Sequence, residues 1–118
     1  EKAVQFIHRN FRDRISVKTL SDHVYINPQY LSRIFKREMG ITCIEYINRL
    51  KVDYACKLLL TTNKSIYEIS TMCGFSEQSY FNRVFTKYMG ITPKAFKTTN
   101  RRTSSIKRGP TSDNKKLR

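Results

Sequence analysis

The stretch YLSRIFKREMGIT, beginning at Tyr30, returns fifty residues later as YFNRVFTKYMGIT, beginning at Tyr80, with seven of its thirteen positions identical. A chain of 118 residues that repeats a segment this long must build the same local structure twice. The correspondence extends upstream: Val17, Leu20, Val24 and Ile26 are matched by Ile66, Ile69, Cys73 and Phe75 at an offset of 49. Beyond the turn the offset is 50, so the second copy has one extra residue between Phe75 and Tyr80. Each copy reads as a short helix, a tight turn and a second helix closing on an apolar pair, Leu31 with Phe35 or Phe81 with Phe85. That is the plan of a helix-turn-helix. Two copies separated by a long segment are too few for a solenoid.

Punctuation elsewhere is helical throughout. Val4, Ile7 and Phe11 recur at spacings of 3 and 4, so the chain opens with a helix to about Asn10. Ser16 is placed to cap a second helix over 17–24 with Val17, Leu20 and Val24 inward. Asn27 as N-cap and Pro28 at the first helical position start a third helix, to about Glu38, that stops at Gly40. Thr42 caps a long helix over 43–61 carrying Ile44, Ile47, Leu50, Tyr54 and Leu58. Ser65 and Glu68 match a capping box opening a fifth helix, with Ile66, Ile69 and Cys73 inside, that breaks at Gly74. A sixth helix over about 77–88 ends at Gly90, and Thr92-Pro93 starts a short seventh. From Thr98 the chain is poor in apolar residues and is expected to be a disordered basic tail. The expected fold is all-α: about seven helices, with a first helix-turn-helix at 17–38, a linker helix at 43–61 and a second helix-turn-helix at 66–88. The folded body would span 1–97 and the tail 98–118.

Charge narrows the partners. The formal net charge is +14, with 23 Lys and Arg against 9 Asp and Glu, and the excess lies in the body as well as the tail. Nucleic acid is the first partner such a surface suggests, and an anionic membrane the second. No apolar run approaches the roughly 20 residues that cross a bilayer. Cys43, Cys56 and Cys73 are spaced 13 and 17 apart, neither a disulfide framework nor a zinc spacing, and read as core residues in a reducing cytoplasm. His8 and His23 lack partners at ligand spacing and read as surface or boundary residues. No metal or cofactor is expected, and no nucleophile, base or metal cluster at recognisable spacing points to an enzyme.

The outward faces of the repeated helices separate a DNA reader from a duplicated structural hairpin. Opposite Leu31 and Phe35 lie Gln29, Ser32, Arg33 and Lys36; opposite Phe81 and Phe85 lie Ser79, Asn82, Arg83 and Thr86. Both sets form stripes at i, i+3, i+4 and i+7. Both lack carboxylates and hold an Arg in their first half, whereas a merely solvated face usually mixes Glu with Lys.

These stretches resemble a known family. GFSEQSYFNRVFTKYMGITPKAF is similar to the C-terminal signature of the AraC/XylS transcription regulators, YINPQYLSRIFKREMG to their first helix-turn-helix, and YINRLKVDYACKLLL to the helix between the two. The resemblance covers about residues 3–97. It implies sequence-specific binding of double-stranded DNA, with the second helix of each unit in one of two successive major grooves. Base reading then falls to Gln29, Ser32 and Arg33, with Lys36 added from the outward stripe, and to Gln78, Ser79, Asn82 and Arg83. Phosphate contacts fall to Lys18, Tyr30, Ile66, Tyr80 and Lys87, those at Lys18 and Ile66 lying at helix N-termini. RNA polymerase and a sensor or dimerisation domain ahead of Glu1 are the implied protein partners, with no membrane involved. Phe96-Lys97 stands where the family pattern has Tyr-Arg.

Overall fold

The computed structural model describes residues 2–106, with side chains through residue 100. Seven helices follow one another: α1 Lys2–Asn10, α2 Val17–Val24, α3 Pro28–Met39, α4 Cys43–Thr61, α5 Ile66–Met72, α6 Gln78–Met89 and α7 Pro93–Ile106. No strand occurs among the described residues.

The helix starts are set by side chains that accept from otherwise unpaired first-turn amides. Ser16 Oγ accepts from Thr19 N at 3.2 Å. Asn27 Oδ1 accepts from Gln29 N at 2.9 Å and Tyr30 N at 3.1 Å. Full capping boxes open α4, from Thr42 and Glu45, and α5, from Ser65 and Glu68. α3 and α6 end alike: Gly40 (φ 83°) and Gly90 (φ 80°) each turn left-handed and donate to the carbonyls of Lys36 and Thr86. The extra residue of the second copy falls just before α6, where Glu77 occupies the N-cap without a side-chain hydrogen bond.

Two apolar clusters form, one for each repeat. The first gathers Ala3, Ile7, Leu20, Leu31, Phe35, Cys43 and Ile47. The second gathers Val52, Ala55, Leu58, Leu59, Ile69, Cys73, Phe75, Phe81, Val84, Phe85 and Phe96. α4 serves both, its first half in one cluster and its second half in the other. At 3.6 residues per turn, the two buried faces of α4 lie roughly a quarter-turn or more apart around its axis. The molecule is elongated accordingly, 50 × 27 × 21 Å.

Three expectations are corrected. The seventh helix is not short: it runs to Ile106, so residues 98–106, expected to begin the tail, are helical. Thr92 Oγ1 caps it through Ala95 N, buried Phe96 anchors it, and Asn100 Nδ2 donates to Phe96 O at 2.8 Å. The rest of the expected tail lies outside the described residues. Cys73, expected inside α5, is its C-cap. Ile44, expected on the apolar face of α4, is exposed, and Cys43 is buried in its place.

Candidate nucleic-acid interface

In the first unit Leu31 and Phe35 are buried, and that fixes the rotation of α3. Gln29, Ser32, Arg33 and Lys36 consequently all stand exposed along the opposite face. Tyr30 flanks the stripe, half of its surface open to solvent.

The second unit repeats this layout with more support. Phe81 and Phe85 are fully buried, and Ser79 and Arg83 are exposed. The Arg83 guanidinium lies 5.5 Å from the Tyr80 ring centroid, a cation–π distance. Tyr80 is itself held from both sides. Its hydroxyl accepts from Asn48 Nδ2 of α4 at 3.2 Å, and its ring packs 5.9 Å from that of Phe75. Arg83 is thereby pre-positioned, whereas Arg33 has no such brace among the described contacts. Tyr80 is partly engaged in this structural role.

Not every expected reader faces outward equally. Gln78 and Asn82 are half-buried. The Asn82 Oδ1 is shielded from solvent without a hydrogen-bond partner, whereas Ser32, its counterpart in the first unit, is exposed. A carboxamide oxygen so placed has no access to a base edge.

The expected phosphate contacts divide similarly. Lys18 is exposed but paired with Asp22 at 3.2 Å; such exposed pairs contribute little and exchange readily. Lys87 is exposed, 5.8 Å above the Tyr88 ring. Ile66 opens α5 beside Glu68, whose carboxyl is held below the usual carboxylate range by the Ser65 amide. That charge neutralises part of the helix-end dipole.

Two supporting residues gave no functional signal in the sequence reading: Asn48 and Lys51, both buried on α4. Both lie between the apolar positions Ile47 and Val52, within the core-facing stretch of α4. Among the described residues no group of His, Cys, Asp and Glu could hold a metal ion, and no helix is long and apolar enough to cross a membrane. His8 bonds Tyr46 and His23 stacks on Phe6, both as boundary residues.

Two helix-turn-helix units on one shared helix, each presenting a carboxylate-free polar stripe, define a bipartite DNA-binding module. A helix-turn-helix domain family matches residues 20–99. The chain is 36% identical over 93 residues to the bifunctional transcriptional activator/DNA repair enzyme AdaA of Bacillus subtilis, covering 79% of this chain and 44% of that protein. It is 33% identical over 92 residues to the melibiose operon regulatory protein of Escherichia coli, covering 78% and 30%. Among solved structures, the C-terminal domain of the response regulator YesN of Fusobacterium nucleatum superposes with a TM-score of 0.77 at 33% identity, covering 80% of this chain and 93% of that one. The DNA-binding domain of AdpA, solved with a target DNA, shares the fold with a TM-score of 0.78 at 23% identity, covering 84% and 89%. The chain belongs to the AraC family of helix-turn-helix transcription regulators, as a DNA-binding domain. It spans less than half the length of these two curated relatives.

Proposed function

We propose that this module reads double-stranded DNA by placing α3 and α6 in two successive major grooves on one face of the duplex. The observation that carries this is the matched pair of carboxylate-free stripes, each with an exposed arginine at the same repeat position, Arg33 and Arg83. Arginine is the commonest bidentate partner of guanine O6 and N7. Gln29, Ser32, Lys36 and Ser79 surround the two arginines as further base readers. Gln78 stands at the edge of the reading face, and Asn82 joins only after its side chain turns outward. Tyr30, Tyr80, Lys87, Lys18 and the α5 N-terminus at Ile66 meet the backbone and set the register. The module works by binding, on the chromosome in the cytoplasm. RNA polymerase and an upstream sensor or dimerisation domain complete the regulator.

The test is selection of bound sites from a random duplex pool. Arg33→Ala and Arg83→Ala are each expected to relax preference in a different half-site, by about 1–3 kcal/mol at the base concerned, with helical content unchanged. Retention of wild-type preference by both variants would remove these helices as readers.

A further inference from the structure

We propose that the loop between α1 and α2 latches the two helix-turn-helix units together through Gly74, making their relative orientation a property of a backbone contact and not of α4 alone. A Cβ on Gly74 would lie 2.5 Å from Arg12 O, 2.8 Å from Arg12 C and 3.0 Å from Asp13 O. Real Cβ atoms do not approach backbone this closely, so the loop main chain rests directly on the turn of the second unit.

The turn accounts for only part of the glycine: Gly74 is left-handed at φ 92°, a conformation that disfavours a side chain by itself. Tyr25 occupies the same position in the first unit, also left-handed (φ 57°, ψ 44°), with its side chain 93% exposed. A side chain is therefore accommodated in the first unit's turn, where nothing rests against it. In the second unit the loop does.

Each side of the contact is anchored in its own core. Phe11 and Ile15 pack against the first cluster, and Asp13 N donates to Asn10 O at 2.9 Å, so the loop belongs to the first unit. On the far side, Lys51 Nζ donates to Gly74 O at 2.8 Å and lies 5.1 Å from the Phe75 ring centroid. Between them stands Tyr54 of α4, packed against the second cluster. Its hydroxyl accepts from Arg12 at 3.0 Å, and the edge of the Phe11–Tyr54 ring pair is 6.0 Å between centroids. Gly74, Arg12 and Tyr54 are positioning residues: they act on DNA through the spacing of α3 and α6. That consequence rests on the two-groove reading above; the latch does not.

The decisive substitution is Gly74→Asn. Asparagine adopts the left-handed conformation more readily than other side chains, so it disturbs the turn least while placing atoms in the loop. Tyr25→Asn is its control at the equivalent position. Spin labels on unnatural side chains at exposed positions 37 and 94 report the distance between units without using the native cysteines. Wild type and Tyr25→Asn are expected to give one narrow distance distribution, and Gly74→Asn a broad one. Gly74→Asn should bind a duplex with one half-site as wild type does, and lose up to about 10²-fold on a duplex with both, the scale of a lost linkage advantage. A narrow distribution with full two-site affinity in Gly74→Asn overturns the latch. Should Gly74→Asn fail to fold, insertion of two glycines between Arg12 and Asp13, which lets the loop main chain lift off Gly74 without altering either core, decides: a broadened distribution supports the latch and an unchanged one overturns it. Equal wild-type affinity for one and two half-sites would defeat the two-groove reading while the distance measurement still judges the latch.

Discussion

Tyr25 is the only non-glycine residue with positive φ among those described, and its side chain touches almost nothing. For an L-residue the left-handed conformation costs about 1–2 kcal/mol. Glycine removes that cost and returns about 0.4–1 kcal/mol through its freer unfolded chain. Tyr25→Gly is therefore expected to stabilise the domain by about 0.5 kcal/mol, raising Tm by about 2–4 °C for a domain of this size. Thermal unfolding followed by circular dichroism checks this; a lower Tm would mean that the tyrosine ring packs against the protein in solution. Lys51 presents the opposite case, a charge taken inside. Burial lowers its pKa, and the Gly74 carbonyl supplies its hydrogen bond. Neither residue was legible as special in the sequence, because what singles them out is a backbone angle and a contact 23 positions away in the chain.

The elements were far more legible, because their boundaries are written in local chemistry. Asn27-Pro28, Thr42 and Ser65 all cap where side-chain oxygens meet first-turn amides, and Gly40 and Gly90 stop α3 and α6. The length of α7 is not legible, because low apolar content reads the same for a disordered tail and for an exposed helix. With no glycine or proline between Pro93 and Gly109, nothing local ends that helix, and Phe96 supplies the tertiary anchor. The inward turn of the Asn82 oxygen was equally invisible, since repeat phase gives a direction on the helix but not a side-chain rotamer. The two capping boxes carry a pH dependence. Glu45 and Glu68 are each lowered in pKa, chiefly by hydrogen bonds from the Thr42 and Ser65 amides. A carboxyl with depressed folded pKa stabilises fully above its unfolded value, about 4.3 for Glu, and loses that contribution as the pH falls through the folded value. The Glu45→Gln/Glu68→Gln pair should thus lower Tm at neutral pH and flatten its decline as the pH falls below about 4.3. A decline as steep as wild type's would place acid sensitivity in other carboxylates.

Across the whole molecule, charge is distributed in two parts that do different work. The outward stripes are fixed on α3 and α6 by the rotation that the two cores impose, so their cations are held in a set register, as the proposed two-groove reading requires. Residues 107–118 add five Lys and Arg against one Asp, with Leu117 as their only large aliphatic residue. Cations in a stretch so poor in apolar residues are expected to attract phosphates without discriminating between bases, and each neutralised phosphate contributes about −0.9 to the slope of log K against log salt. The helical extent of α7 moves the sensible truncation point to after Ile106, since a cut at residue 97 would remove Asn100 and its bond to the Phe96 carbonyl. Truncation there is expected to weaken binding at low salt and reduce the slope by up to about 4, leaving the rank order of sites as in the full chain. Titrations of a selected site and a scrambled duplex at several salt concentrations measure both quantities at once. A truncated chain that reorders its preferred sites would mean that residues 107–118 read a groove, and an unchanged slope would mean that they make no phosphate contact at all.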